Sequence, residues 1–303
     1  MTIDSVLPFL KKAKDENKSL GEIMIEHEVE IQGVSRKEIL NGMKKIWSYM
    51  VNSIKQGVKI TKESPSGMSG GNANKLMTYL SKKTKKLSSA SVLKIAARAI
   101  GIGEFNSSMG VIVAAPTAGS AGVVPAVVYT VAEKLNASEE MIIKGLFASS
   151  LIGLVCDARA STSGSEHGCQ AEIGVSAAMA AAAAVEIAGG TAEQAVNAAA
   201  LVLKNTLGLA CDPVAGLVEV PCIKRNGLLA VSATVAADMS LAGVQSVIPF
   251  DDVVTAMDEI GRMMPCEIKE TSEGGLATTK TGLGYKLWLK RSGERQLEGE
   301  DEL

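Results

Sequence analysis

Aromatic side chains are scarce: two tryptophans, four tyrosines and four phenylalanines in 303 residues. Binding of single-stranded nucleic acid draws on aromatic stacking beside a basic groove. Neither resource is present, since 31 Lys and Arg are outweighed by 33 Asp and Glu, a formal charge of −2. Nucleic acid is therefore not expected as a partner. Histidine is scarcer still, with only His27 and His167, so an imidazole base has two possible sources. Five cysteines are too few, too scattered and odd in number for a disulfide framework, which points to a reducing compartment. The first residues, Met-Thr-Ile-Asp-Ser, lack a basic segment ahead of an apolar one, so no signal peptide and a cytoplasmic location are expected.

Long unbroken hydrophobic segments are also missing. The longest uncharged run, 105–132, exceeds a bilayer span, but Gly110, Pro116, Gly119, Gly122 and Pro125 interrupt it. It reads as buried core with a loop inside, and no membrane is expected. Sustained strict alternation bounded by hairpin turns is absent too, which argues against a β fold.

What remains is helical. With 47% apolar and 21% charged residues, the chain can bury a large core. Residues 4–57 place Ile23, Met24, Ile39, Met43, Ile46 and Met50 at helical spacing among lysines and glutamates, predicting three amphipathic helices. His27, with its polar neighbours, is expected on their solvent face. Ser138 and Thr191 read as helix starts. The run Ala177-Ala-Met-Ala-Ala-Ala-Ala-Ala184 suggests a central helix buried on all sides, because alanine lets helices approach closely. The expected fold is all-α, a compact multi-helix domain with a buried Ala-rich central helix and Gly/Ser-rich pocket loops. Three regions follow: amino-terminal amphipathic helices over 1–60, a helical domain over 61–285 that holds the cysteines and a charged tail over 286–303.

Three cysteines stand where helices begin or end. Cys169 follows Gly168, Cys211 precedes Asp212-Pro213 and Cys222 follows Pro221. Turn and helix-terminal amides favour thiolate, the form that binds metal. The separations, 41 and 10 intervening residues, match no compact metal signature, so spacing leaves open both a metal site and cysteines acting as small apolar residues. Two loops invite an anion. Ser66, Gly67, Gly70 and Gly71 lead into a helix start near Asn72, and Thr117, Gly119, Ser120 and Gly122 offer hydroxyls and accessible backbone. The alternatives are a linker in the first case and a close helix crossing in the second.

The segments Ala115-Pro-Thr-Ala-Gly-Ser-Ala-Gly-Val-Val-Pro125, Gly168-Cys-Gln-Ala-Glu172, Cys211-Asp-Pro-Val-Ala-Gly-Leu-Val-Glu-Val-Pro-Cys-Ile-Lys-Arg-Asn226 and Glu270-Thr-Ser-Glu-Gly-Gly-Leu-Ala277 resemble the alpha chain of the iron–sulfur-dependent L-serine dehydratases. They stand in that family's order. The resemblance implies a [4Fe–4S] cluster on Cys169, Cys211 and Cys222, no pyridoxal phosphate, and L-serine as substrate. One iron without a cysteine ligand would bind the substrate hydroxyl as a Lewis acid. It further implies catalytic roles near Thr117, Ser120 and His167. Substrate contacts are expected from Ser66, Gly67, Gly70, Gly71, Gly119, Gly122, Asn226, Glu270, Thr271, Gly274 and Gly275. Lys224, Arg225 and Asn226 would tune the cluster by hydrogen bonding.

The sequence departs from the family at His167, where a small residue is usual, and at Arg159, where asparagine is common. The family's Ser-Ser-Ser-His-Thr type motif is absent from this chain. A separate beta subunit carrying it, and an oligomeric enzyme, are therefore expected. Two alternatives compete: a cysteine desulfidase-type lyase, and a non-catalytic zinc-binding protein.

Overall fold

The computed structural model describes residues 3–300, with side chains through residue 292. The helices are α1 Leu7–Glu16, α2 Leu20–Gln32, α3 Arg36–Gly57, α4 Asn72–Ser81, α5 Ala90–Ser107, α6 Val123–Leu135 and α7 Glu139–Arg159. There follow the one-turn α8 Gly164–His167, a π turn Gln170–Gly174, α9 Val175–Ile187, α10 Ala192–Lys204, α11 Cys222–Leu241, α12 Phe250–Met263 and α13 Lys280–Glu300. Among the described residues the one β pairing is an isolated parallel bridge between Cys211 and Lys269. The fold is all-α, as expected.

Local chemistry starts several helices where the sequence says it should. Ser138 accepts from the Met141 amide to open α7. Thr191 and Gln194 form a reciprocal capping box on α10, as Ser35 and Glu38 do on α3. Such caps are worth about 0.5–2 kcal/mol each. The centre of the molecule is α9, in which every residue is buried. It packs on α6, α7, α10 and α11. Close approach to α7 depends on small residues: a Cβ on Gly145 would come within 2.8 Å of the Ile187 side chain. Two helical stretches, Glu139–Arg159 and Gln170–Ile187, have the length and apolar content of a membrane span, yet 61% and 94% of their windows are buried inside the protein.

The amino-terminal helices share this core, with Phe9, Leu20, Ile23, Met24, Ile39 and Met50 joined to the residues of α7 and α9. His27 differs from its expected solvent position. It is 1% exposed, stacked edge-on against Phe9, because α1 lies across the face of α2 that its polar neighbours suggested was wet. Helix α11 begins at Cys222, placing the third cysteine on its first turn. Of the charged tail over 286–303, the backbone to Glu300 continues α13; residues 301–303 and the side chains from 293 lie outside the described residues.

Candidate active site and metal centre

The three cysteines come from different elements of the chain. Cys169 precedes the π turn, Cys211 is held in its bridge by its amide donating to Ile268 O at 2.8 Å and its carbonyl accepting from Glu270 N at 2.8 Å, and Cys222 opens α11. All are buried free thiols. Sulfurs of Cys169 and Cys211 and a carboxylate oxygen of Glu172 all lie within 4.8 Å of one another. Glu172 stands one turn beyond Cys169, with its Oε2 3.7 Å from the Cys211 sulfur. Cys222 is close enough for the charge on Cys169 to raise its thiol, although burial is the larger cause; together they push it to about 12.

Arg225 binds the assembly together. Its Nη1 donates to the Cys169 sulfur at 3.3 Å and to Ala210 O at 2.7 Å, and its Nη2 donates to Asp212 Oδ1 at 3.2 Å. The Cys211 thiol, donating toward Cys169, and the Arg225 guanidinium hold Cys169 below the usual thiol range in spite of burial. The same contact, with burial, raises Cys211. Burial raises the Glu172 carboxyl, with the charge of Glu270 adding to it and a hydrogen bond from Thr117 opposing it.

The Thr117–Gly122 loop reaches this group through that Thr117–Glu172 contact. The loop is fastened from two sides. Ser176 on α9 donates to Ala115 O at 2.6 Å. Asn226, one turn after Cys222, donates to Gly119 O at 2.7 Å and to Cys222 O at 2.9 Å and accepts from Gly122 N at 2.9 Å. Its amide is thereby consumed by the framework. Ser120 is fully buried, and its hydroxyl turns back to Ala115 O and Thr117 O. Gly119 does not need a left-handed backbone; its constraint is space, since a Cβ would meet Val218 Cγ1 at 3.0 Å.

The other serine–glycine loop is fastened by carboxylates of the chain. Glu104, 0% exposed, accepts from the amides of Gly70, Asn72 and Ala73. A fixed acid therefore occupies the helix start that the sequence offers to a ligand anion. Glu219 accepts from Ser64 at 2.7 Å and from Ser69, while Ser66 pairs with Ser64. Gly67 lies farther out, beside Trp288.

Four residues of the closing segment have separate fates. Glu270 donates its amide to Cys211, Gly275 packs on Asp212, Thr271 donates to Cys266 O, and Gly274 packs on Glu267. Asp212 Oδ2 accepts from Leu276 N at 2.8 Å. His167 is tied to α12: its Nε2 lies 2.7 Å from Asp258 Oδ1, and none of its contacts reaches the cysteines. Cys156 is sealed in the core of α7, and Cys266 is exposed.

The structure thus brings together Thr117, Gly119, Cys169, Cys211, Cys222, Asn226, Glu270 and Gly275. Glu172, Asp212, Glu104 and Glu219 are absent from the candidate site residues read from sequence. Glu172 had a signal, an acid one turn from a cysteine at a glycine-marked helix start. Glu104 had one too, a lone carboxylate within an otherwise apolar stretch.

A family model described as serine dehydratase alpha chain matches residues 15–277. The chain is 45% identical over 295 residues to a Bacillus subtilis (strain 168) protein named "Probable L-serine dehydratase, alpha chain", covering 96% of this chain and 97% of that one. It is 41% identical over 273 residues to the "L-serine dehydratase, alpha chain" of Peptoniphilus asaccharolyticus, covering 90% and 93%. It is 36% identical over 276 residues to the "L-serine dehydratase" of Streptomyces coelicolor (strain ATCC BAA-471 / A3(2) / M145), where the match covers 88% of this chain and 59% of that protein. The chain belongs to the serine dehydratase alpha-chain family.

Proposed function

We propose that this chain is the catalytic alpha subunit of a cytoplasmic L-serine ammonia-lyase, converting serine to pyruvate and ammonia. The observation that carries the reading is the meeting of Cys169, Glu172 and Cys211 within 4.8 Å, on a loop side shared with Thr117 and beside Cys222. Soft, buried, unpaired thiols fit an iron–sulfur cluster and do not suit magnesium or calcium. Cys169, Cys211 and Cys222 would hold a [4Fe–4S] cluster, which when bound supplies Lewis acidity toward the departing hydroxyl.

The chain's own residues do the rest. The Thr117 hydroxyl and the backbone of 118–120 hold the substrate carboxylate, with Asn226 fixing that loop. Glu172, lying between Thr117 and Cys211 and raised by burial, is assigned the Cα proton; a carboxyl raised above its ordinary range is the stronger base once ionised. Glu270 and Gly275 close the pocket through Cys211 and Asp212. Loss of the Cα proton and of hydroxide, released as water, leaves an enamine that tautomerises to an imine and hydrolyses to pyruvate and ammonia. No pyridoxal phosphate takes part. His167, with its carboxylate partner on α12, is assigned to holding α8 in place.

The length of the Streptomyces protein beyond the match supports a second module, here a beta subunit with a Ser-Ser-Ser-His-Thr type motif, in an oligomeric enzyme. A second reading, a single zinc ion on Cys169, Glu172 and Cys211, is favoured by the same 4.8 Å grouping. Anaerobic purification with and without a co-expressed beta chain separates the two. About four irons per chain with pyruvate formed from serine supports the lyase. Stoichiometric zinc without iron supports the alternative. Sulfide released faster from cysteine than pyruvate from serine would reassign the leaving group.

A further inference from the structure

Cys169, Cys211 and Cys222 are distant in sequence and have no covalent link, so some part of the chain must set their relative positions before any metal arrives. Arg225 touches all three segments. It sits on the first turn of α11, which Cys222 opens. Its Nη1 reaches the Cys169 sulfur at 3.3 Å and the carbonyl of Ala210 at 2.7 Å, and its Nη2 reaches Asp212 at 3.2 Å. Ala210 and Asp212 flank Cys211, so the fork grips the second segment on both sides. A planar guanidinium with rigidly placed donors can make these contacts at once; an ammonium on a flexible stem cannot reproduce them.

An ion pair with Asp212 alone would be a modest contribution, because the Arg225 side chain is 19% exposed and such pairs are partly screened. The bond to sulfur is a different matter. It points at a metal ligand, and hydrogen bonds to cluster sulfurs together with nearby charge are what proteins use to set a reduction potential.

We infer that Arg225 is a positioning residue that gathers the three cysteine segments into one frame and, through its N–H···S bond to Cys169, sets the reduction potential of the centre they hold. The inference rests on the reading that these cysteines bind an iron–sulfur cluster.

The test compares the parent, R225Q and R225K as full chains with any beta subunit, reconstituted anaerobically. Three measurements are made: iron and sulfide content, rate of iron loss to a chelator, and cluster potential by spectroscopic redox titration, with circular dichroism reporting the fold. R225Q should keep its helical signal, lose iron about ten- to a hundredfold faster, and titrate at a more negative potential than the parent. R225K, which keeps the charge without the fork, should recover part of the potential and little of the retention. A purely structural role would leave the potential of the remaining cluster unmoved. Parent-like retention and potential in R225Q, with a loaded parent, overturns the inference and leaves the cluster reading intact. A parent that takes up no iron overturns both. Should R225Q fail to fold, R225K decides by the same two measurements.

Discussion

Asn226 donates to the carbonyl of Gly119 at 2.7 Å across 107 positions of sequence, and through its backbone-directed bond to Cys222 O it joins the Thr117–Gly122 loop to the helix of the third cysteine. Asn226→Ala removes both bonds and the one to Gly122 N, leaving buried backbone groups unpaired at about 1–3 kcal/mol each. The loop should loosen while the thiols stay in place. Steady-state kinetics should show kcat/KM for serine lower by on the order of ten- to a hundredfold, with iron content unchanged. Loss of iron together with activity would place Asn226 in the metal frame instead.

Alanine at Cys169, Cys211 or Cys222 should abolish cluster retention, because a three-ligand site has no spare thiolate. Alanine at Cys156 or Cys266 should preserve it, since one is sealed in α7 and the other is exposed. Iron content and visible absorption of anaerobic preparations report the outcome directly. Full occupancy in C211A would disprove the ligand set.

Gly119→Val places a side chain against Val218 and toward Glu172. Catalysis should collapse with the metal retained. Thr117→Val is gentler: it removes the hydroxyl assigned to the substrate carboxylate, a contact to a charged group worth about 1.5–3 kcal/mol, so kcat/KM should fall roughly ten- to a hundredfold. Parent-like kinetics in T117V on serine would reduce the loop to a packing element.

Two buried groups should give the stability a pH dependence of opposite sign. Burial lowers His27, whose ring nitrogens have no partner. The unfolded chain therefore binds the extra proton, and stability is lost as pH falls below the ordinary histidine value of 6.5. Burial raises Glu186. The folded chain keeps that proton longer, so the neutral acid's contribution is present below the ordinary value of 4.5 and lost as pH rises through the raised one. Urea midpoints across pH should show a flattened acid limb in H27L and a flattened opposite limb in E186Q. Unchanged slopes in both would mean that neither group titrates differently on folding.

How much of this can be read along the chain depends on distance in sequence. Ser138 and Thr191 announce α7 and α10 because a cap and its amide are three residues apart. The alanines around Ala180 announce a buried helix because burial on every side leaves no polar stripe. The start of α11 is marked only by Pro221, since Cys222-Ile-Lys-Arg-Asn itself has no apolar period. His27 misleads, since Glu26 and Glu28 describe its own helix and say nothing of α1 crossing above it. The three cysteines can be picked out by family resemblance, whereas Glu172 reaching across to Thr117, and Glu104 filling the α4 start, are contacts that only the folded chain creates.

The bridge between Cys211 and Lys269 makes segment 268–276 and the cysteine group mechanically one part. Cys211 exchanges two backbone bonds with 268–270, Leu276 N bonds Asp212, and Ser272 donates to Pro213 O at 2.7 Å. Swinging this segment outward to admit an amino acid would break these four bonds at about 0.5–1.5 kcal/mol each, so an opened form would hold at most a few per cent of the molecules, and in it the second cysteine would have lost its anchor. Residues 268–276 therefore form a fixed wall beside Cys211.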